Sequence, residues 1–274
     1  MTTEPTSQHH DLTYGDYLKI DELLALQQCR SRDPETGEPE HDETLFIIIH
    51  QVYELWFKQV LHELDAFAGD LDADAPYRGS HRLGRVLKIL KTLVAQLDVL
   101  ETMTPLEFSS FRSFLADSSG FQSAQFRELE FALGQKTRDH LDRFAPHPGE
   151  FDRLTRRYLD PTIWDHFVRY VDRCGFAVPT EVLERDVTLP VVESSGVQDV
   201  LIDIYRTDPA LTGICEALTD LDEGVQEWGY RHVMMVQRTI GAKIGTGGSR
   251  GAAYLRETLF RPAFPDLWAV RSRF

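Results

Sequence analysis

Apolar positions recur along most of this chain at helical spacing, and between Phe46 and Phe57 they cover every face of the predicted helix. A helix that is apolar all round is a buried one. One histidine, His50, sits inside that stretch. Burying an imidazole is unfavourable unless its ring nitrogens find partners, so His50 is a candidate site residue. A core histidine bonded to a backbone carbonyl is the plainer alternative.

The same period predicts helices over 14–28, 44–68, 81–102, 105–115, 124–134, 150–158, 161–174, 197–205, 208–220 and 222–241. Arg30 to Glu43 reads as a polar loop, 175–196 as irregular chain and 243–251 as a mobile glycine-rich loop, with 1–11 a flexible polar tail. No alternating period-two block of any length occurs, so the expected class is all-α, a helical bundle forming one domain over 1–274. Helix 81–94 carries Arg82, Arg85, Lys88 and Lys91 beside an apolar stripe. That pattern suits a membrane-surface or calmodulin-target helix, but also a bundle helix with a solvated basic face.

Composition favours the bundle. The 274 residues are 42% hydrophobic and 27% charged, as in an ordinary globular protein, and the formal charge is −15. An acidic surface repels nucleic acid and anionic membrane, so neither is an expected partner, and an anionic substrate needs a local arginine. Cys29, Cys174 and Cys215 stand far apart without a CxxC pair. The odd count speaks against a disulfide framework, and with no apolar leader or membrane-length run the expected setting is the cytoplasm.

Three segments carry candidate chemistry. Thr104-Pro105-Leu106-Glu107 has a Thr cap, Pro at the first helical position and Glu closing a capping box, which fixes the helix phase. Arg112 then shares a face with Phe108, Phe111 and Leu115. A guanidinium between aromatic rings suits an aromatic carboxylic acid, or else an internal Asp or Glu. His232 lies on a second apolar helix, with Trp228, Met235 and Val236 at its i−4, i+3 and i+4 positions. Two such histidines without Cys or carboxylate at metal-site spacing argue against zinc, and a haem held by one neutral imidazole fits better. Gly241 to Gly251 contains five glycines, enough for an active-site lid or a plain connector, but lacks the P-loop ending. His140-Leu141-Asp142 is an HxD pair of the kind found in non-haem iron sites, in a polar helix end or loop, and Ser118-Ser119-Gly120 forms a turn after the arginine helix.

Taken together, LTYGDYL at 12–18, LFIIIHQVYELWFKQ at 45–59, TPLEFSSFRSFL at 104–115, SSGFQS at 118–123, RHVMMVQRTIG at 231–241 and GTGGSRG at 245–251 closely resemble the tryptophan 2,3-dioxygenase family. The resemblance runs from about residue 12 to 268. It implies an all-α homotetramer, a dimer of dimers with one b-type haem per subunit, that uses O2 to convert L-tryptophan to N-formyl-L-kynurenine. It makes His232 the axial iron ligand and His50 the distal histidine accepting the indole N–H. Phe46, Ile47, Ile48, Ile49 and Phe108 would belong to the substrate pocket, Arg112 would hold the carboxylate, and Thr246 would meet the ammonium and carboxylate end. Ser119 would lie near a haem propionate, and Tyr14 and Tyr17 would arrive on the N-terminal arm of a neighbouring subunit. Some members have Tyr where this chain has Phe108, which leaves Arg112 more of the carboxylate recognition. Alternatives are a haem monooxygenase of the same superfamily acting on a substituted indole or aromatic amino acid, and a haem-binding sensor without catalysis.

Overall fold

The computed structural model describes residues 12–243, 245, 255–256 and 258–274. Every regular element among them is helical. In chain order the α-helices are α1 (Tyr14–Leu18), α2 (Ile20–Leu24), α3 (His41–Asp72), α4 (Pro76–Leu100), α5 (Pro105–Arg112), α6 (Ala124–Ala132), α7 (Arg138–Asp142), α8 (Pro148–Leu159), α9 (Ile163–Arg173), α10 (Thr180–Leu183), α11 (Ser195–Thr207), α12 (Pro209–Ile240) and α13 (Pro265–Ala269).

The all-α expectation holds, and α3, α4 and α12 form the centre, with α4 packed between the other two. On α3 the buried set Ile49, Tyr53, Phe57, Val60, Leu64, Phe67 and Leu71 steps by three or four residues, which lays one continuous stripe against α4. The basic stripe of α4 is a bundle face: Arg82 pairs with Asp70, and Arg85 with Glu63. No helix among the described residues is long and apolar enough to cross a membrane.

Two boundaries differ from the sequence pattern for physical reasons. The helices expected over 208–220 and 222–241 are one helix of 32 residues, α12. Asp222 does not break it, because its buried carboxylate turns inward to the C-terminal segment, and Gly224 leaves room for Leu90, whose Cδ1 would lie 3.0 Å from an added Cβ. The helix expected over 14–28 is instead two short helices divided at Lys19, which takes a left-handed φ of 56°. None of their residues is buried. Short helices without a packing partner are marginal in water, and among the described residues none buries this arm.

Candidate active site

Helices α3, α5 and α12, the turn at 119–123, the start of α6 and residues 258–261 enclose a cavity of about 300 Å³. His50 and Phe46 enter it from α3, Phe108 and Arg112 from α5, Ser119 from the turn, and His232 from α12. The helix phase set by the Thr104–Glu107 capping box is observed: Thr104 Oγ1 accepts from Glu107 N, and Thr104 N donates to the Glu107 carboxylate at 2.7 Å.

Phe46 and His50 share the cavity face because residues four apart stand one turn apart on a helix. Ile47, Ile48 and Ile49 are turned away by the same rule and do not line the cavity; Ile49 is packed in the core and Ile48 is 40% exposed. The Phe46 ring lies 4.1 Å from the His50 ring and within 6 Å of Phe108 and Phe111, so an aromatic wall stands beside the imidazole. His50 Nδ1 donates to the Phe46 carbonyl oxygen at 2.7 Å. A carbonyl can only accept, so the proton sits on Nδ1, and Nε2 of the neutral ring is left as an acceptor. Burial holds the imidazole neutral by lowering its pKa from the usual value. The core-histidine alternative and the site reading therefore describe two nitrogens of one ring.

His232 is built differently. Its ring stacks on Trp228, one turn earlier, at 5.1 Å and 5° from parallel, and Trp228 is wedged by Phe57 and Phe126. No described residue hydrogen bonds to the His232 imidazole. Burial, and then the proximity of His50, push its pKa down to about 4, so at neutral pH the ring is an uncharged nitrogen base. A neutral imidazole of fixed orientation is the form that ligates a metal.

The cavity also contains residues that sequence reasoning passed over. Tyr53 donates its hydroxyl to the Leu93 carbonyl oxygen at 2.8 Å, and burial pushes its pKa up to about 12. Arg127 is 5% exposed and pairs through Nη1 with Glu130 and with His140 Nδ1. Arg127 Nε is buried without a hydrogen-bond partner among the described residues. Arg127 stands beside Glu128 and Glu130 in the sequence, which reads as a solvated charge cluster. The one available signal was its position one residue after Phe126 on a short apolar helix.

Other candidates fall elsewhere. Tyr14 and Tyr17 project from the exposed arm at 76% and 71% exposure. Thr246 lies outside the described residues, as does most of the glycine-rich loop. The HxD pair does not form a metal centre: His140 accepts from Arg127, Asp142 pairs with Arg138, and no metal-binding cluster of His, Cys, Asp or Glu occurs among the described residues.

The family model for tryptophan 2,3-dioxygenase matches residues 2–159 and 184–274. A protein of Herpetosiphon aurantiacus named tryptophan 2,3-dioxygenase is 56% identical, over 95% of this chain and 98% of its own. Proteins of the same name from Anaeromyxobacter sp. strain K and Arthrobacter sp. strain FB24 are 52% and 44% identical, the first over 98% of each chain and the second over 95% of this chain and 91% of its own. All the residues that line the cavity fall inside the matched ranges, and the chain belongs to the tryptophan 2,3-dioxygenase family.

Proposed function

We propose that this protein is a haem-dependent dioxygenase that adds both atoms of O2 across the indole C2–C3 bond of L-tryptophan, giving N-formyl-L-kynurenine. The observation that carries the reading is the convergence of His50, Arg112 and His232 on one aromatic-walled cavity. The proposed setting is cytoplasmic, as a homotetramer with one b-type haem per subunit and no nucleic-acid or membrane partner.

The residues present fit a haem. His232 offers a neutral nitrogen, apolar walls from α3, α5 and α12 suit the macrocycle, and Arg127, whose Nε has no partner among the described residues, suits its carboxylates together with Ser119. When bound, the haem iron would supply O2 activation, chemistry that side chains alone lack. In this reading His232 holds the iron, and its order is set by stacking on Trp228.

The chain's own part is orientation. Arg112 holds the substrate carboxylate through its planar fork. His50 Nε2 accepts the indole N–H, the only polarity the Phe46 bond leaves it. Phe46 and Phe108 face the indole and keep water from it. Thr246 meets the amino-acid end, and Tyr14 and Tyr17 close the pocket of a neighbouring subunit. Holding the ring at fixed distance and angle turns an encounter of three bodies into an ordered one.

The test is turnover of L-tryptophan by the reduced haem-loaded protein under heavy-isotope O2, without added reductant. Two labelled oxygens in a ring-opened product is the expected result. One labelled oxygen and a need for reductant would replace the dioxygenase with a monooxygenase.

A further inference from the structure

The C-terminal segment is bolted to the helix that bears His232. Asp222, three turns before that histidine on α12 and 1% exposed, accepts at Oδ2 from Phe264 N at 3.1 Å and from Trp268 Nε1 at 2.9 Å. Its Oδ1 accepts from Gln226 Nε2 at 3.0 Å. No Lys, Arg or His pairs with it among the described residues, so these N–H donors alone compensate a buried carboxylate. Such a group is costly to bury unless each lone pair it presents is met. Its partners are therefore held tightly in place.

What it holds is cavity wall. Gln226 lines the cavity directly, and Thr258, Leu259 and Arg261, a few residues before Phe264, line it from the other side. Leu259 stands over Gly229, where an added Cβ would lie 3.7 Å from Leu259 Cδ2, and Gly229 is three residues before His232. Gln135 Nε2 adds a second tie to the same stretch through the Arg261 carbonyl oxygen at 3.1 Å. Asp222 thus ties Gln226, which lines the cavity, to Phe264 and Trp268, which do not line it themselves but follow the lining residues Thr258, Leu259 and Arg261 in the chain.

The same segment has a second bolt that leads away from the cavity. Asp266, also 1% exposed, accepts from Ser194 N at 2.8 Å and Gln198 Nε2 at 3.0 Å, both at the start of α11. Neither Ser194 nor Gln198 lines the cavity. Two buried aspartates therefore anchor one segment, and only one of them is tied to cavity-lining residues.

We propose that Asp222 is a positioning residue for the active site, setting the part of the cavity wall that flanks Gly229, directly through Gln226 and indirectly through the Phe264–Trp268 segment, and so the shape of the cavity that takes tryptophan. The proposal rests on the dioxygenase reading, and it does not place Asp222 in contact with substrate. Asp266 serves only to fasten the segment.

The experiment compares Trp268→Phe, Asp222→Asn and Asp266→Asn in the full-length haem-loaded protein, measuring KM and kcat for L-tryptophan, equilibrium binding of L-tryptophan, and the thermal midpoint. Trp268→Phe keeps an aromatic side chain but removes the indole N–H donated to Asp222 together with the pyrrole half of the ring, so Asp222→Asn, which leaves the indole in place, is read beside it. It is expected to raise KM and the dissociation constant about threefold to tenfold, less than the full worth of the bond because the bond shapes the wall and does not touch substrate, with kcat within about twofold. Asp222→Asn should move the same two constants in the same direction. Asp266→Asn should lower the thermal midpoint and change both constants clearly less than Asp222→Asn does, since Asp266 has no bond to a cavity-lining residue. Unchanged affinity in Trp268→Phe, or an equal loss of affinity in Asp266→Asn, would overturn the proposal and leave Asp222 a structural anchor. Binding without turnover in the parent protein would defeat the dioxygenase reading, while the binding constants would still decide the role of Asp222.

Discussion

α3 and α12 have the same length, 32 residues, and each delivers one histidine to one cavity, yet the two rings are prepared in opposite ways. His50 is fixed by a hydrogen bond, Nδ1 to the Phe46 carbonyl, which decides its tautomer and leaves an acceptor facing the cavity. His232 is fixed by stacking on Trp228, which decides its plane and leaves its nitrogens unbonded by described residues. A ring meant to receive one substrate proton needs a defined polarity. A ring meant to ligate needs a defined direction and a free lone pair. The difference supports the proposed roles better than burial does, since burial depresses both pKa values.

The sharpest way to break this comparison is to remove each ring in turn. His232→Ala should lose haem altogether, read as the ratio of haem to protein after purification and reconstitution, whereas His50→Ala should keep it. Haem retained at full occupancy in His232→Ala would exchange or abolish the assignments. Next in size is Arg112→Ala, which is expected to raise KM for tryptophan by roughly 2–4 kcal/mol of lost binding, the range for charged hydrogen bonds and desolvated ion pairs. An indole substrate without the carboxylate should show little change, and equal losses on both would refute the carboxylate clamp.

How far these roles could be read in the sequence depends on whether local or distant groups create them. Arg112 was legible because a capping box fixes the phase of α5 locally, and the phase alone puts it on the face of Phe108 and Phe111. His50 was legible because the four residues before it, and Val52 and Tyr53 after it, are apolar or aromatic. Its hydrogen bond to residue i−4 is equally local, but choosing between the two ring nitrogens required coordinates. Arg127 was hidden, since what makes it a cavity residue is burial between elements, and beside two glutamates it looks solvated. The continuity of α12 at Asp222 was hidden for the same reason: its partners Phe264 and Trp268 lie more than 40 residues away. The leucines of the N-terminal arm show the reverse failure. Their spacing predicts a packed helix, but no described residue of this chain buries them.

A smaller effect separates orientation from chemistry at His50. His50→Ala should lower kcat/KM for tryptophan by about tenfold, the value of a hydrogen bond of about 1.5 kcal/mol. With 1-methyltryptophan, which has no indole N–H to donate, the same variant should lose much less. An equal loss on both substrates would mean that the ring acts by packing against Phe46, not by accepting a proton.

The smallest expected effect concerns a third imidazole, and it tests whether a depressed pKa marks a functional ring. Burial first, and then Arg127 and Arg143, lower the pKa of His140 to about 4, as low as that of His232, yet its visible role is to accept a hydrogen bond from Arg127 at 3.0 Å. The folded pKa lies below the unfolded value near 6.5, so the unfolded chain takes up the proton first as pH falls. The stability His140 contributes is complete above pH 6.5 and is lost progressively between about 6.5 and 4, by roughly 2 kcal/mol after discounting for partial exposure. His140→Gln should therefore show a shallower fall of the thermal midpoint from pH 7 to 4.5 than the parent, with haem content unchanged at pH 7. Identical acid profiles would show that Arg127 does not depend on a neutral His140. Loss of haem in that variant would mean that this outer histidine reaches the cavity through Arg127, and the contrast between His50 and His232 would have to include a third ring.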